Sequence, residues 1–321
     1  MQSIKEVTIK MTLRLGCKEL YHIFLDHMKI VKMLTGVAII KIQKNDPEQT
    51  TEIPLPFNLG GTECKVFFDL ETTGLGRHSD IIQIAAKANS NSFNSYVIPR
   101  VDIQIEASKI TGITYIHGTN KMYVRGEIVE PVSLHKALLD FIHFLKEQNQ
   151  PIIQGHNICN FDIPVIVKKF KESNLFSTFC ETVKGFIDTM KVARKYIPKN
   201  DVENFKQQTL VKQFVGENYS ARIAIEDVDS LKTLNDRKFT SLVKFDDVFS
   251  VLYHNYMDSY SDLLRNKIVS MPVCMQLARD GISLKHLKLA SDVNGLKFVL
   301  PDHKIPPKSV NSIQDYFQIE E

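Results

Sequence analysis

The spacing of apolar positions changes near residue 64. From there short β-rich runs alternate with helical patterns. Lys65 to Leu70, Ile81 to Ala86 and Phe93 to Ile98 read as strands, and Leu134 to Leu145 as a helix. Ile152 to Gln154 and Gly185 to Ile187 read as further short strands, separated by a helix from about Phe161 to Phe170. Strands alternating with helices predict an α/β fold. Beyond about Leu234 the texture turns helical, over Asp246 to Leu264 and Val273 to Leu289. A loop-like Pro301 to Pro307 then leads into a last short helix ending near Phe317. Upstream, residues 1 to 62 begin as amphipathic material. They end in a polar, proline-punctuated stretch, Asn45 to Pro56, followed by Gly60-Gly61, which has the composition of a linker. No internal repeat or low-complexity segment interrupts this order.

Composition narrows the class. With 321 residues and 43% hydrophobic content the chain can bury a full core, and with 24% charged residues it reads as a soluble globular protein. Apolar stretches such as Val37 to Ile40 and Ile163 to Val167 fall far short of the ~18 residues a membrane span needs, so no membrane partner is expected. Lysines and arginines scattered through Met1 to Leu34 leave no uninterrupted apolar region of a secretion signal. The five cysteines are odd in number, widely spaced and never CxxC. They read as reduced thiols of an intracellular protein, with cytoplasm favoured over nucleus. A net charge of +3 says nothing about nucleic acid, but between Ile163 and Val215 ten Lys/Arg face five acids. That excess suits a phosphate backbone, and suits a solvated lysine-rich helix face equally well.

The chemistry concentrates in Val66-Phe67-Phe68-Asp69-Leu70-Glu71-Thr72-Thr73-Gly74-Leu75. On a strand, residues two apart share a face, so Asp69 and Glu71 project side by side from the end of an apolar strand. Adjacent carboxylates repel unless a cation lies between them. Oxygen ligands of this kind suit a hard ion such as Mg²⁺ or Mn²⁺.

This block resembles the first motif of the DEDD family of 3′→5′ exonucleases. A second motif resembles the family's HN-xxx-[FY]-D in His156-Asn157-Ile158-Cys159-Asn160-Phe161-Asp162, with Asp162 at a helix start. The third, H-x-A-x-x-D in the His-type branch, is met best by Arg222-Ile223-Ala224-Ile225-Glu226-Asp227. There Ala224, Asp227, Val228 and Leu231 fall on one helical stripe. A competing pair, His254 and Asp258, has the wrong spacing and lacks the alanine. Ala107 to Thr114 resembles a further family stretch and supports the alignment without adding chemistry. The texture is closest to the three-prime repair exonucleases and the exonuclease-like tails of promyelocytic-leukaemia-type proteins.

The resemblance covers residues 63 to 235. It divides the chain into an N-terminal extension and linker (1–62), an exonuclease domain (63–235) and a helical C-terminal extension (236–321). It implies a ribonuclease-H-like fold, a mixed central sheet flanked by helices, and two Mg²⁺ or Mn²⁺ ions held by Asp69, Glu71, Asp162 and Asp227. The implied reaction is phosphodiester hydrolysis at the single-stranded 3′ end of a nucleic acid, with DNA favoured over RNA. Thr72, Thr73 and Leu75 resemble positions that line the terminal-nucleotide site, and His156 and Asn157 resemble substrate-side or supporting positions. Asp188-Thr189 resembles a structural element after a central strand. The rival class is a catalytically silent descendant that uses the same cleft to bind nucleic acid or a protein.

One departure touches the reaction itself. Arg222 stands at the motif histidine, and a guanidinium, always protonated and without an acceptor, cannot take a proton from water. It can still hold a phosphate, and His254 is the candidate substitute base. Arg222→His is therefore expected to raise kcat by about 10²- to 10⁴-fold, the usual worth of general-base catalysis. The parent chain should show activity that climbs with pH and is greater with Mn²⁺ than with Mg²⁺. Rate profiles with kcat separated from KM check both statements.

Overall fold

The structure is a computed structural model that describes residues 61–76, 78–218, 223–244, 247–292 and 295–319. They fall in two compact units, one within Phe57–Asn255 and the other from Tyr256 onward.

The first unit is built on β1 (Lys65–Thr72), β2 (Ile81–Ala88), β3 (Asn91–Tyr96), β7 (Ile152–Gly155), β8 (Gly185–Asp188) and β9 (Val248–Phe249), in the sheet order β3-β2-β1-β7-β8-β9. Strands β1, β2 and β3 pair antiparallel, β7 and β8 join parallel to β1, and β9 returns antiparallel on β8. This is the ribonuclease-H-like arrangement implied by the motifs. Between β3 and β7 a small antiparallel sheet forms from β4 (Ile113–Ile116), β5 (Lys121–Val124) and β6 (Glu127–Val129). It follows α1 (Ile105–Thr111) and precedes α2 (Leu134–Lys146). Its tight turn is Arg125-Gly126, both at positive φ (51° and 90°), the backbone that a two-residue hairpin with the right-handed strand twist requires. The remaining helices are α3 (Asp162–Glu172), α4 (Phe176–Thr182), α5 (Thr189–Tyr196), α6 (Gln207–Phe214) and α7 (Ala224–Leu234).

Strand β1 is central because both of its faces are apolar. Val66, Phe68 and Leu70 are buried on one face, where Phe68 stacks on Phe141 of α2 at 5.5 Å between centroids. Phe67 is buried on the other, in a cluster with Ala85 of β2 and Ala224, Val228 and Leu231 of α7. The sheet thus lies between α2 and α7. It also runs past Leu234: inside Asp246 to Leu264, expected to be helical, β9 packs Phe249 on Phe186 at 5.7 Å, a strand whose two residues carry no readable alternation.

The second unit is helical. α8 (Tyr253–Ser259) leads into it, followed by α9 (Ser261–Arg265), α10 (Met271–Arg279), α11 (Leu284–Asp292), α12 (Leu296–Val299) and α13 (Pro307–Ile319). The single helix expected over Val273 to Leu289 is two, because Gly281 at φ +80° ends the first and the Ile282 N–H turns back to the Leu277 carbonyl at 2.9 Å. The last helix, at 13 residues, is longer than its weak apolar pattern foretold. Among the described residues no helix is long and apolar enough to cross a membrane, and Cys64, Cys159, Cys180 and Cys274 are free thiols. The N-terminal extension and linker expected over residues 1–62 lie, Cys17 included, outside the described residues up to residue 60.

Gly155, at the end of β7, has no room for a side chain. A Cβ there would sit 2.1 Å from Ile158 Cγ2 and 2.8 Å from the Phe68 carbonyl oxygen, and the latter cannot rotate away. Gly155→Ala is expected to cost about 1–3 kcal/mol, the range for overpacking, read from the midpoint of urea unfolding.

Candidate metal centre

Asp69 and Glu71 lie on the face of β1 that Phe67 shares, so they project toward α7. Because α7 docks on that face through Ala224, Val228 and Leu231, the residue between them on its stripe, Asp227, comes down on the two strand carboxylates. Ligand oxygens of Asp69, Glu71 and Asp227 all lie within 4.8 Å of one another. Asp162, the first residue of α3, is buried close enough to act on both Asp69 and Glu71, although it is not one of that close triad. The structure therefore brings together the four acids the motifs pointed to.

Their electrostatics follow from burial and proximity. Burial, and then the charges of Asp162, Glu71 and Asp227, push the Asp69 carboxyl well above the usual range. Burial with Asp227 and Asp162 raises Glu71 to about 8. Burial raises Asp162 to about 7, against hydrogen bonding from its own backbone and that of Leu70. A cluster of acids that resists ionisation while offering oxygens this close together fits a divalent cation.

Polar contacts hold α7 in place. The Ala224 N–H donates to Gln83 Oε1 of β2 at 3.3 Å, and Gln207 Nε2 of α6 donates to the Asp227 carbonyl at 2.7 Å. Gln154 Nε2 of β7 reaches Asn235 Oδ1, just past the helix, at 3.0 Å. Arg125 of the small hairpin forks onto Glu226 at 2.9 and 3.0 Å, next to Asp227. Periodicity does not reveal these clamps, because each joins residues distant in sequence.

Other candidate residues take more specific places. The Thr72 hydroxyl donates to the Gly74 carbonyl at 2.7 Å, and Thr73 Oγ1 accepts the Asp80 N–H at 3.0 Å, so both threonines are spent on the turn. Leu75 is 89% exposed at the tip of that turn. His156 is tied inside the protein at both ring nitrogens, Nε2 to the Phe205 carbonyl at 2.8 Å and Nδ1 to Thr189 Oγ1 at 2.9 Å, and burial lowers its pKa. Asn157 occupies positive φ (66°), and its N–H and that of Cys159 donate to Asp188 at 3.0 and 3.1 Å. Asp188 also caps α5 through Met190 and Lys191, so one buried carboxylate shapes the whole loop before Asp162.

His254 sits on α8 with its ring edge-on to Tyr253, which packs on Phe249 of β9, at the far edge of the sheet from β1. Asp258, its proposed companion, is exposed. Arg222 lies outside the described residues. The basic stretch is also less free than its count suggested: Lys169, Lys184 and Lys195 pair with Asp80, Glu63 and Asp247, all beyond its limits. Arg194, Lys199, Lys206 and Lys212 are exposed.

Sequence comparison relates this domain to known proteins. Residues 64–214 match the model of the Exuperantia RNAse H-like domain. The DNA polymerase III subunit epsilon of Buchnera aphidicola is 29% identical over 156 residues, covering 44% of this chain and 59% of that protein. Both likenesses support a resemblance of this domain to the DEDD-type 3′→5′ exonuclease family. The maternal protein exuperantia of Drosophila melanogaster is 24% identical to the chain over 190 residues, covering 55% of this chain. The chain spans about a third of that relative's length (35%). Among solved structures, the zinc-bound E. coli ExoI–ssDNA complex is similar with a TM-score of 0.46 at 16% identity, over 66% of this chain and 46% of that one.

The raised carboxyls set a pH dependence. A group whose folded pKa is raised binds its proton more tightly in the folded state, so its contribution is full at low pH and is lost as pH rises through the folded value. In EDTA the melting temperature should therefore fall as pH rises from the ordinary glutamate range toward about 8, where Glu71 ionises. Mn²⁺ should reverse the fall, and Asp227→Asn should flatten it, as read by thermal melting across pH.

Proposed function

We propose that the domain removes nucleotides from the 3′ end of a single-stranded nucleic acid, DNA in preference to RNA, with two divalent ions at the carboxylate cluster. The observation that carries this reading is the convergence of Asp69, Glu71 and Asp227 oxygens within 4.8 Å, with Asp162 adjoining. A binding module has little use for four converging acids without a metal.

In this reading Asp69, Glu71 and Asp227 hold the ions and Asp162 completes their surroundings. Mg²⁺ or Mn²⁺, when bound, supplies Lewis acidity and neutralises charge on a transferring phosphoryl group. The protein's own part is placement. The sheet and α7 fix three carboxylates, while the turn closed by Thr72, Thr73 and Asp80 presents Leu75 as an apolar surface for a terminal base or sugar. The loop held by Asp188 positions Asn157, and its neighbour His156 serves as internal bracing. Exposed Arg194, Lys199, Lys206 and Lys212 are available to a phosphate backbone. With arginine at the motif-histidine position, proton removal falls to solvent or to another side chain, which makes turnover slow. The preference for DNA is supported by the resemblance to a DNA polymerase III subunit.

The test is release of mononucleotides from a 3′-labelled single-stranded oligonucleotide, as DNA and as RNA, with Mg²⁺ or Mn²⁺. Activity is expected, and Asp69→Ala should lower it by about 10²-fold or more, the scale on which loss of one electrostatic stabiliser acts. No release by a chain that binds Mn²⁺ would instead establish the silent binding module.

A further inference from the structure

We propose that the buried ion pair between Asp80 and Lys169 is a positioning device for the metal centre, setting the rotation of α3 about its axis so that Asp162 faces Glu71 and Asp69. The inference rests on the reading of these carboxylates as metal ligands.

The pair is unusual for its burial. Lys169 is 1% exposed and Asp80 5%, and Lys169 Nζ donates to Asp80 Oδ1 at 2.8 Å. Lys169 lies seven residues after Asp162, two turns along α3, so the two side chains leave the same face of the helix about 10 Å apart. Asp80 closes the turn that leaves β1. The Thr73 N–H donates to the Asp80 carbonyl at 2.9 Å, and the Asp80 N–H returns to Thr73 Oγ1 at 3.0 Å. Thr73 is two residues beyond Glu71. The ion pair therefore joins the helix that carries Asp162 to the segment that extends the strand of Asp69 and Glu71.

Asp80 is itself held rigidly. The Arg100 N–H donates to Oδ2 at 2.8 Å and its Nη2 to Oδ1 at 2.7 Å. Burial raises the Asp80 carboxyl, but hydrogen bonds from Arg100 and Lys169 outweigh it and hold the group well below the usual carboxylate range. Glu172, at 3.7 Å from Nζ, adds a second, looser anion. An ammonium cannot be buried without such partners. Any turn of α3 that swung Asp162 away from its like-charged neighbours would strip Lys169 of Asp80. The attraction at one end of the helix opposes the repulsion at the other.

The test measures Mn²⁺ binding to the full chain by electron paramagnetic resonance, with circular dichroism to establish folding at the same temperature. Three variants are compared with the parent: Lys169→Met; Asp80→Asn with Lys169→Met, which leaves no unpaired buried charge; and Lys169→Arg, which keeps the pair. Asp69→Ala is the control for the site itself. The folded neutral variants should bind Mn²⁺ about 10- to 100-fold more weakly, the usual effect of removing a group that orients metal ligands, while Lys169→Arg stays near the parent. Folded neutral variants with parental affinity would overturn the proposal. So would a Lys169→Arg chain as weak as Lys169→Met, or failure of both neutral variants to fold, since the pair would then support the fold at large. A parent that binds no Mn²⁺, or binds it equally after Asp69→Ala, overturns the metal reading, and the proposal with it, by a separate route.

Discussion

Mutual repulsion among half-buried carboxylates is the constraint around which this domain is arranged. Burial and the charges of Asp162 and Asp227 push the Asp69 and Glu71 carboxyls up, and burial raises Asp162, so the cluster resists ionisation. The approach has to be imposed by packing elsewhere. Burial of Phe67 against Ala85, Ala224, Val228 and Leu231 does this for Asp227, because a helix seated through those positions must lower the residue between them onto β1. The hydrophobic effect supplies a non-directional force, and the helical period converts it into a direction.

Directional bonds refine the placement. Gln83 and Gln207 hold the backbone of α7 at Ala224 and Asp227, and Arg125 fixes its exposed side through Glu226. Asp188 gathers four backbone N–H groups, from Asn157, Cys159, Met190 and Lys191, and so fixes the loop from which Asp162 starts. Several residues that resemble substrate-side positions belong to this bracing. Thr72, Thr73 and His156 each direct their polar atoms into the protein, while Leu75 of the same turn stands out into solvent. The division is economical: a short motif carries both the groups that act and the groups that hold them.

Much of the fold was readable because it rests on local periodicity. Strands β1, β2, β7 and β8 and helices α2 and α3 announced themselves by alternation or by i, i+3, i+4 spacing, to within a few residues. The short hairpin strands β4 to β6 and the two-residue β9 did not, since a strand that short carries too few alternations to distinguish it from loop. In the helical unit the break at Gly281 is not legible in the apolar spacing, which continues through it, and the positive φ of that residue marks the end.

The sequence by itself determined which chemistry the domain can hold: a DxE on an apolar strand, an aspartate at a helix start and an aspartate on an apolar helical stripe are each legible from residue type and spacing. Tertiary structure decided which of these groups meet, and what holds them. Lys169 could have been suspected, since a lysine on a buried helical face needs an anion, but nothing local names Asp80, 89 residues earlier, as its partner. The same holds for the lysines that Glu63 and Asp247 neutralise, which turned an apparent basic stretch into partly satisfied structure. The reason is physical. Periodicity reports which face of an element is buried, whereas electrostatic and hydrogen-bond partners are chosen by the packing of elements whose separation along the chain no local pattern encodes.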